Sequence, residues 1–381
     1  MYRWMWGAAL TAVAITMSSC STVAGTPQAQ PSAAPTSKPV AVDLAAEGAL
    51  AEGVRMADVV AHPNDIDPDL TTPGSSGPLT RPFLLVNVGH NPDITAAADD
   101  NGMLAGYLTY HSAPGGHPRK GLTHGVIRFT DAATATTEAD DLAQAAITSK
   151  GMLETADREA VPLAQAPETR FSRAHQSSFY ASMAFTPYRE YVIYSAVNAD
   201  DPATTEALTV TAAELQRPLL DTFVPTDPAK YAALQRDPSG VLALATGSGG
   251  AATGAYGPAG AALLAYDHRR LRTIFTEVGM DVMGVGDANL FRTRDEAGAK
   301  TLAGSLGAAT VTYYTLGEAK LTPAASPDVP DTTCWSATST ATSRWFCVLV
   351  RGRYVAEIWE KTEQEAFDIA RAQYRELEGA R

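Results

Sequence analysis

The sequence predicts an α+β fold of two related domains, each an antiparallel sheet covered by helices. Three observations predict it. A gapless internal repeat joins two distant segments, a run of alternating Tyr, Val and Ile follows each copy, and a turn-rich stretch separates the copies.

Taken in order, the chain begins with Arg3, an uncharged run from Trp4 to Met17, and Ser18 and Ser19 leading into Cys20. A short basic head, an apolar stretch too short to span a bilayer and small residues at the junction describe a cleaved export signal over residues 1–19. Cys20 then reads as a lipoprotein acceptor whose thiol is diacylated, with Met17 standing where the lipobox usually has Leu. The alternatives are a transmembrane anchor and a plain secretory signal with an incidental cysteine. Lipidated Cys20 would hold the protein on the outer face of the cell membrane, two acyl chains being enough for stable attachment. Residues 20–41 carry Ser, Thr, Pro and Ala with almost no large apolar side chain, the composition of a disordered tether. Fully extended, that tether would reach up to about 70 Å.

The rest of the 381-residue chain, 45% hydrophobic overall, is long enough for two medium domains. A net charge of -13 repels phosphate backbones and argues against nucleic acid as a partner. VIRFTDAATATTEADDLAQA from Val126 aligns on LFRTRDEAGAKTLAGSLGAA from Leu290. Arg128 matches Arg292, and Asp131 and Asp295 stand at the junction of an apolar segment and an alanine-rich stretch, where each is a natural helix N-cap. Further on, YREYVIYSAV from Tyr188 matches RGRYVAEIWE from Arg351, with Tyr191 and Val192 over Tyr354 and Val355. That alternation predicts strands with one face buried under helices. Helical stretches at Ala203 to Phe223 and Glu363 to Leu377 close the copies. Upstream, Arg55 to Val60 reads as helix and Met103 to His111 as strand. Pro225 to Gly260 is rich in turn signals, so the expected domains are 42–224 and 225–381.

RMADVVAHPNDIDPDL (Arg55 to Leu70), DPSGVLA (Asp237 to Ala243), AYGPAGAALL (Ala255 to Leu264) and VGMDVMGVGDANLFRTRDEAGA (Val278 to Ala299) resemble an uncharacterised family of mycobacterial and related actinobacterial lipoproteins. The resemblance runs from about residue 48 to the end. It implies two related halves behind a lipobox and a Pro-rich tether, and it carries over no catalytic residue. Each unit is also loosely similar in pattern to the extracellular sensor domains of some mycobacterial membrane kinases.

Motifs of chemistry are few. The GSGG within Gly247 to Gly260 lacks the Lys and Ser or Thr of a phosphate loop, and Pro258 with repeated Gly argues for a mobile loop. Asp65, Asp67 and Asp69 begin like a calcium loop, but Leu70 and Ser76 stand where Gly and Glu are needed, so solvated carboxylates in a turn are expected. Of seven histidines (His62, His90, His111, His117, His124, His175 and His268), only His111, His117 and His124 lie close enough for a hairpin to bring two together. None of the spacings is that of a zinc site. No G-x-S-x-G elbow occurs. No catalytic residue, metal or cofactor is therefore expected. Cys334 and Cys347 bracket a polar stretch with Trp335 and Trp345, and in an oxidising compartment a disulfide across a hairpin is expected, absent from the first copy where Phe171 and Ser182 lie nearby. The leading functional expectation is a lipid-anchored binding or sensing module with a cleft between its halves for an envelope ligand or protein partner. The alternatives are a structural lipoprotein and a hydrolase without a visible motif.

Overall fold

The computed structural model describes residues 43–380 except 101, 115–119, 153, 248–249, 317–319 and 339–342. Cys20, its tether and His117 thus lie outside the described residues. Residues 42–381 form one compact unit.

The first half runs α1 (Leu44–Met56), a 3-10 turn (Ala57–Val59), α2 (Pro63–Ile66), β1 (Thr72–Pro78), α3 (Arg81–Asn87), α4 (Pro92–Asp100), β2 (Ala105–Ser112), β3 (Gly121–Arg128), α5 (Ala132–Thr148), β4 (Glu159–Ala160), β5 (Arg170–Gln176), β6 (Phe179–Tyr188), β7 (Tyr191–Ala199) and α6 (Pro202–Thr222). The second half runs β8 (Gly254–Tyr256), α7 (Pro258–Ala262), α8 (His268–Glu277), β9 (Val282–Val285), β10 (Ala288–Arg292), α9 (Glu296–Leu316), β11 (Thr322–Pro323), β12 (Thr332–Thr338), β13 (Ser343–Arg351), β14 (Tyr354–Glu360) and α10 (Glu363–Glu376). The sheets have the same order: β1-β2-β3-β7-β6-β5-β4 in one and β8-β9-β10-β14-β13-β12-β11 in the other, with all neighbours antiparallel. The fold is α+β and duplicated.

The repeat is legible atom by atom. Asp131 accepts from the Thr134 amide (2.8 Å) at the start of α5, and Asp295 accepts from the Gly298 amide (2.8 Å) at the start of α9. Arg128 lies opposite Tyr191 in one sheet, and Arg292 lies opposite Tyr354 in the other. Both arginines also tie down a loop. Arg128 reaches buried Glu52 (3.3 Å) and the Thr226 carbonyl (2.7 Å), while Arg292 reaches Asp281 (2.7 Å) and the Ser239 carbonyl (3.3 Å).

Coverage differs from the expectation of one buried face. All eight residues of β3 are buried, because helices pack on both sides. On one side Leu108, Ile127, Met183, Phe185, Val192 and Tyr194 form a core with α3, α4 and α5. On the other, Leu122, Val197 and Ala199 meet Leu208 and Ala212 of α6. In the second half the α10 side holds Leu349, Ala356 and Ile358, and the α9 side holds Phe346, Val348 and Val355.

The glycine-rich segment is a second correction. Its described part builds edge strand β8 and helix α7 rather than a mobile loop. Pro258 sits in the first turn, where its missing N–H costs nothing, and Asp58 accepts from the Gly260 amide (2.7 Å). A Cβ on Gly257 would stand 2.2 Å from the Asp58 carboxylate, so the glycine is there for close approach.

Candidate functional site

The carboxylates of the DIDPD turn are paired, and Asp65 and Asp69 stay exposed to solvent. Lys120 bridges Asp67 (2.9 Å) and Asp69 (2.8 Å), and Arg272 holds Asp65 (2.7 Å). Among the described residues no group of three or more His, Cys, Asp or Glu is arranged to hold a metal ion, and no helix is long and apolar enough to cross a membrane.

His111 and His124 share one face of the β2–β3 hairpin but do not meet. His124 is fully buried between Ser195 and Gln216, each 3.0 Å from a ring nitrogen. The Gln216 amide nitrogen already donates to the Val59 carbonyl, so its oxygen accepts from His124 Nε2–H, and Nδ1 accepts from the Ser195 hydroxyl. Burial pulls this imidazole down to about 4 against the bond to Gln216. His111 instead meets His268 of the second half with ring centroids 4.6 Å apart, and His268 faces His62 at 6.1 Å. All three are buried, and five of their six ring nitrogens have no partner; the sixth, His111 Nδ1, is 3.2 Å from the Thr109 hydroxyl. Burial, then the charge of Arg272, holds His62 at about 3 and His268 at about 4, with His268 adding at His62 and Arg269 adding at His268; burial and the rings of His268 and His62 also hold His111 well below its ordinary value. No spacing in the sequence announces this trio, whose members come from a helix N-cap, a strand and a helix start.

Among the described residues, the two halves meet through a packed seam. Val54, Met56, Tyr107, Val126 and Ile193 of the first half share one buried cluster with Tyr256, Leu263, Phe275 and Met283 of the second. Tyr107 and Tyr256 meet edge to face at 6.2 Å. Open concave surface among the described residues includes a pocket within each half.

The first half carries a groove of about 390 Å³ on the α5 side of its sheet, between the end of α3 and strands β3, β7, β6 and β5. Ala196, Ala181 and Gly89 make room for it. Asn87 anchors one wall: it accepts from the Ser75 hydroxyl (2.9 Å), donates to the Phe83 carbonyl (2.8 Å), and its own carbonyl accepts from Tyr194 (3.3 Å). On the opposite wall Arg158 pairs with Glu154 and donates to the Ala181 carbonyl (3.1 Å). Gln176 Oε1 accepts from Thr155 (2.9 Å from N, 2.8 Å from Oγ1) and the Ala156 amide (3.2 Å). Arg158 has only 3% of its side chain exposed and Gln176 is 4% exposed, yet Arg158 Nε and Gln176 Nε2 have no acceptor. A shallower pocket of about 260 Å³ continues past Tyr110, Phe179 and Asn198 to Lys120.

The same place in the second half is filled. Counting from the matched Tyr191 and Tyr354, Trp359 replaces Ala196 and Glu357 replaces Tyr194; across the ladder Phe346 replaces Met183 and Arg344 replaces Ala181. Trp359 packs on Phe346 (4.4 Å), Tyr314 (5.6 Å) and Tyr266 (5.8 Å), and Tyr266 stacks on Tyr313 (4.1 Å). Burial in this aromatic cluster pushes the Glu357 carboxyl up to about 7, against a hydrogen bond from Asn289 (3.3 Å). The groove residues carry no short-range motif. The signal for them lies in the aligned strands, where Ala196 falls opposite Trp359.

Cys334 and Cys347 lie opposite each other across the β12–β13 ladder, joined by a disulfide with Cα atoms 4.1 Å apart. The pair at that register position in the first half is Phe171 and Ala184, with Ser182 two residues away and no cysteine.

Comparison with known proteins places the chain. The N-terminal model of DUF7373, a domain of unknown function, matches residues 40–236, and the C-terminal model of DUF7373 matches residues 219–378. The chain belongs to the DUF7373 family. No curated protein matches it. Among solved structures, the chain is similar to the extracellular domain of PknH from Mycobacterium tuberculosis at 12% identity and a TM-score of 0.35, over 44% of this chain and 96% of that one.

Proposed function

We propose that this DUF7373 protein is an exported envelope lipoprotein, anchored through Cys20, whose folded body is a non-enzymatic binding module with its site in the first-half groove. The observation that carries the reading is the divergence of the two copies. One topology, built twice, keeps an open groove walled by buried hydrogen-bonding groups in one half and fills it with Trp359, Phe346 and tyrosines in the other. Largely pre-formed concavities with a few placed polar groups are where small ligands bind. This moves the expected site from between the halves into one of them.

The test is native mass spectrometry of the full-length protein released gently from membranes, compared with Ala196→Trp, which copies the filled groove. A small molecule that accompanies the wild type and is absent from the variant supports the reading. A wild type free of any bound species, with both proteins retaining the same envelope partners, favours a scaffold instead.

A further inference from the structure

We infer that the first-half groove takes a neutral, polyhydroxylated ligand, a short saccharide, rather than an anion, a cation or a lipid. The inference rests on the binding-module reading above and narrows it to a ligand class.

Charge is the first discriminator. The ionisable pair at the wall, Glu154 and Arg158, is internally compensated, and the remaining polar lining is amide and hydroxyl: Asn87, Asn198, Gln176 and Thr123. An ionic ligand would enter a site with no net charge to offset its lost hydration. An acyl chain fails for the complementary reason. It would cover the exposed Asn198 amide without offering it a hydrogen bond, at a cost of about 1–3 kcal/mol for the stranded group. A ligand dense in hydroxyl groups supplies both acceptors and donors for the Asn198 amide.

Shape is the second. A volume of about 390 Å³ lies toward the lower end of ligand pockets, which run from about 300 to 1,000 Å³, and the adjoining shallower pocket extends it along one direction toward Lys120. Tyr110 and Phe179 belong to both parts, so flat aromatic surface stands where the two pockets join. Aromatic faces with amide side chains around them suit a sugar ring, whose C–H face is apolar and whose rim is polar.

The experiment is calorimetry on the full-length protein in detergent with three probe sets: glucose, N-acetylglucosamine and maltose; the charged analogues glucose 6-phosphate and glucuronate; and oleate as an apolar probe. Saturable binding of at least one neutral sugar is expected, weakened tenfold or more in Asn198→Ala, which alters an exposed groove residue, and abolished in Ala196→Trp. Unchanged urea midpoints establish that each variant folds, and Asn198→Ala alone decides the matter if Ala196→Trp does not. Preference for the charged sugars or for oleate, or sugar binding indifferent to Asn198→Ala, overturns the inference. If no neutral sugar binds while the co-purifying species of the mass-spectrometry test still disappears in Ala196→Trp, the saccharide assignment fails and the binding module stands. If neither occurs, both fail.

Discussion

Lowering the pH from 7 to 5 should destabilise the folded body by about 4 kcal/mol or more, and buried histidines are the reason. His62 at about 3, His124 at about 4 and His268 at about 4 all lie below the ordinary 6.5 of an exposed imidazole. The folded state therefore binds fewer protons than the unfolded one, and stability falls as pH drops below 6.5. At pH 5 the unfolded chain gains about 2 kcal/mol from each of the three, about 6 kcal/mol together and slightly less relative to pH 7. His111 adds to this in the same direction. Glu357 opposes it: with a folded value of about 7 against 4.5, it is the folded state that holds the extra proton, and acidification from 7 to 5 returns about 2 kcal/mol. The groups around the His62, His111 and His268 trio do not cancel the effect, because Arg272 and Arg269 add positive charge and Asp65 is already paired to Arg272. Urea denaturation of the mature protein at pH 7.5, 6 and 5 reads the slope. His62→Phe removes two unpartnered nitrogens and one titration, so it should leave stability at pH 7 unchanged or higher and reduce the loss on going to pH 5 by about 2 kcal/mol. A wild-type loss below about 1 kcal/mol, or a His62→Phe slope equal to wild type, would refute the reasoning.

Three other outcomes follow from particular residues. Cys20→Ala should release the protein from membranes or block its maturation; fractionation showing normal processing with full membrane retention excludes the lipid anchor. Replacing Cys334 and Cys347 together by Ala should cost about 3 kcal/mol, the entropy of a loop spanning 13 residues, and native thiol labelling of the exported protein should find neither cysteine free. Glu52→Gln should cost about 3 kcal/mol in denaturant, because it strands Arg128 beside a carboxylate lost from a fully buried site that also holds the Thr226 amide (2.7 Å) and hydroxyl (2.9 Å); a loss under about 1 kcal/mol would mean the network is not what ties the inter-half segment to α1.

The repeat was readable because its signals are local. Asp131 and Asp295 cap helices within three residues of themselves, and the Tyr191 and Tyr354 strands carry their own alternation. What was not readable depends on partners far away in sequence. The glycine-rich stretch reads as turn chemistry until Asp58, some 202 residues upstream, supplies the acceptor that starts α7. Strand β3 reads as half-exposed until Ser195 and Gln216 are seen to satisfy His124 from two other elements. The groove fell between these cases. Its walls come from separated segments, yet the substitution that marks it, Ala196 against Trp359, was present in the aligned repeats without a structural context to give it meaning.

That substitution has a cause in how the halves pack. The first half turns the α6 side of its sheet to the seam, through Tyr107, Val126 and Ile193, and the second half turns its α9 side, through Phe346, Val348 and Val355. Equivalent halves joined by opposite faces cannot have equivalent surroundings. The second copy of the groove lies on the seam-facing side, where Phe346 belongs to the shared core and Trp335 and Trp359 pack against it. Large aromatic rings there bury apolar area at about 25 cal/mol per Å² and stabilise the junction. The first copy lies on the α5 side, whose core draws on first-half residues alone, so no junction selects for filling it. Glu357, in the position of Tyr194, lies on that filled side, where burial raises its carboxyl against hydrogen bonds from Asn289 and Trp359. Duplication thus need not create a site between copies. Here packing through opposite faces spends one copy of a groove on holding the molecule together and leaves the other open.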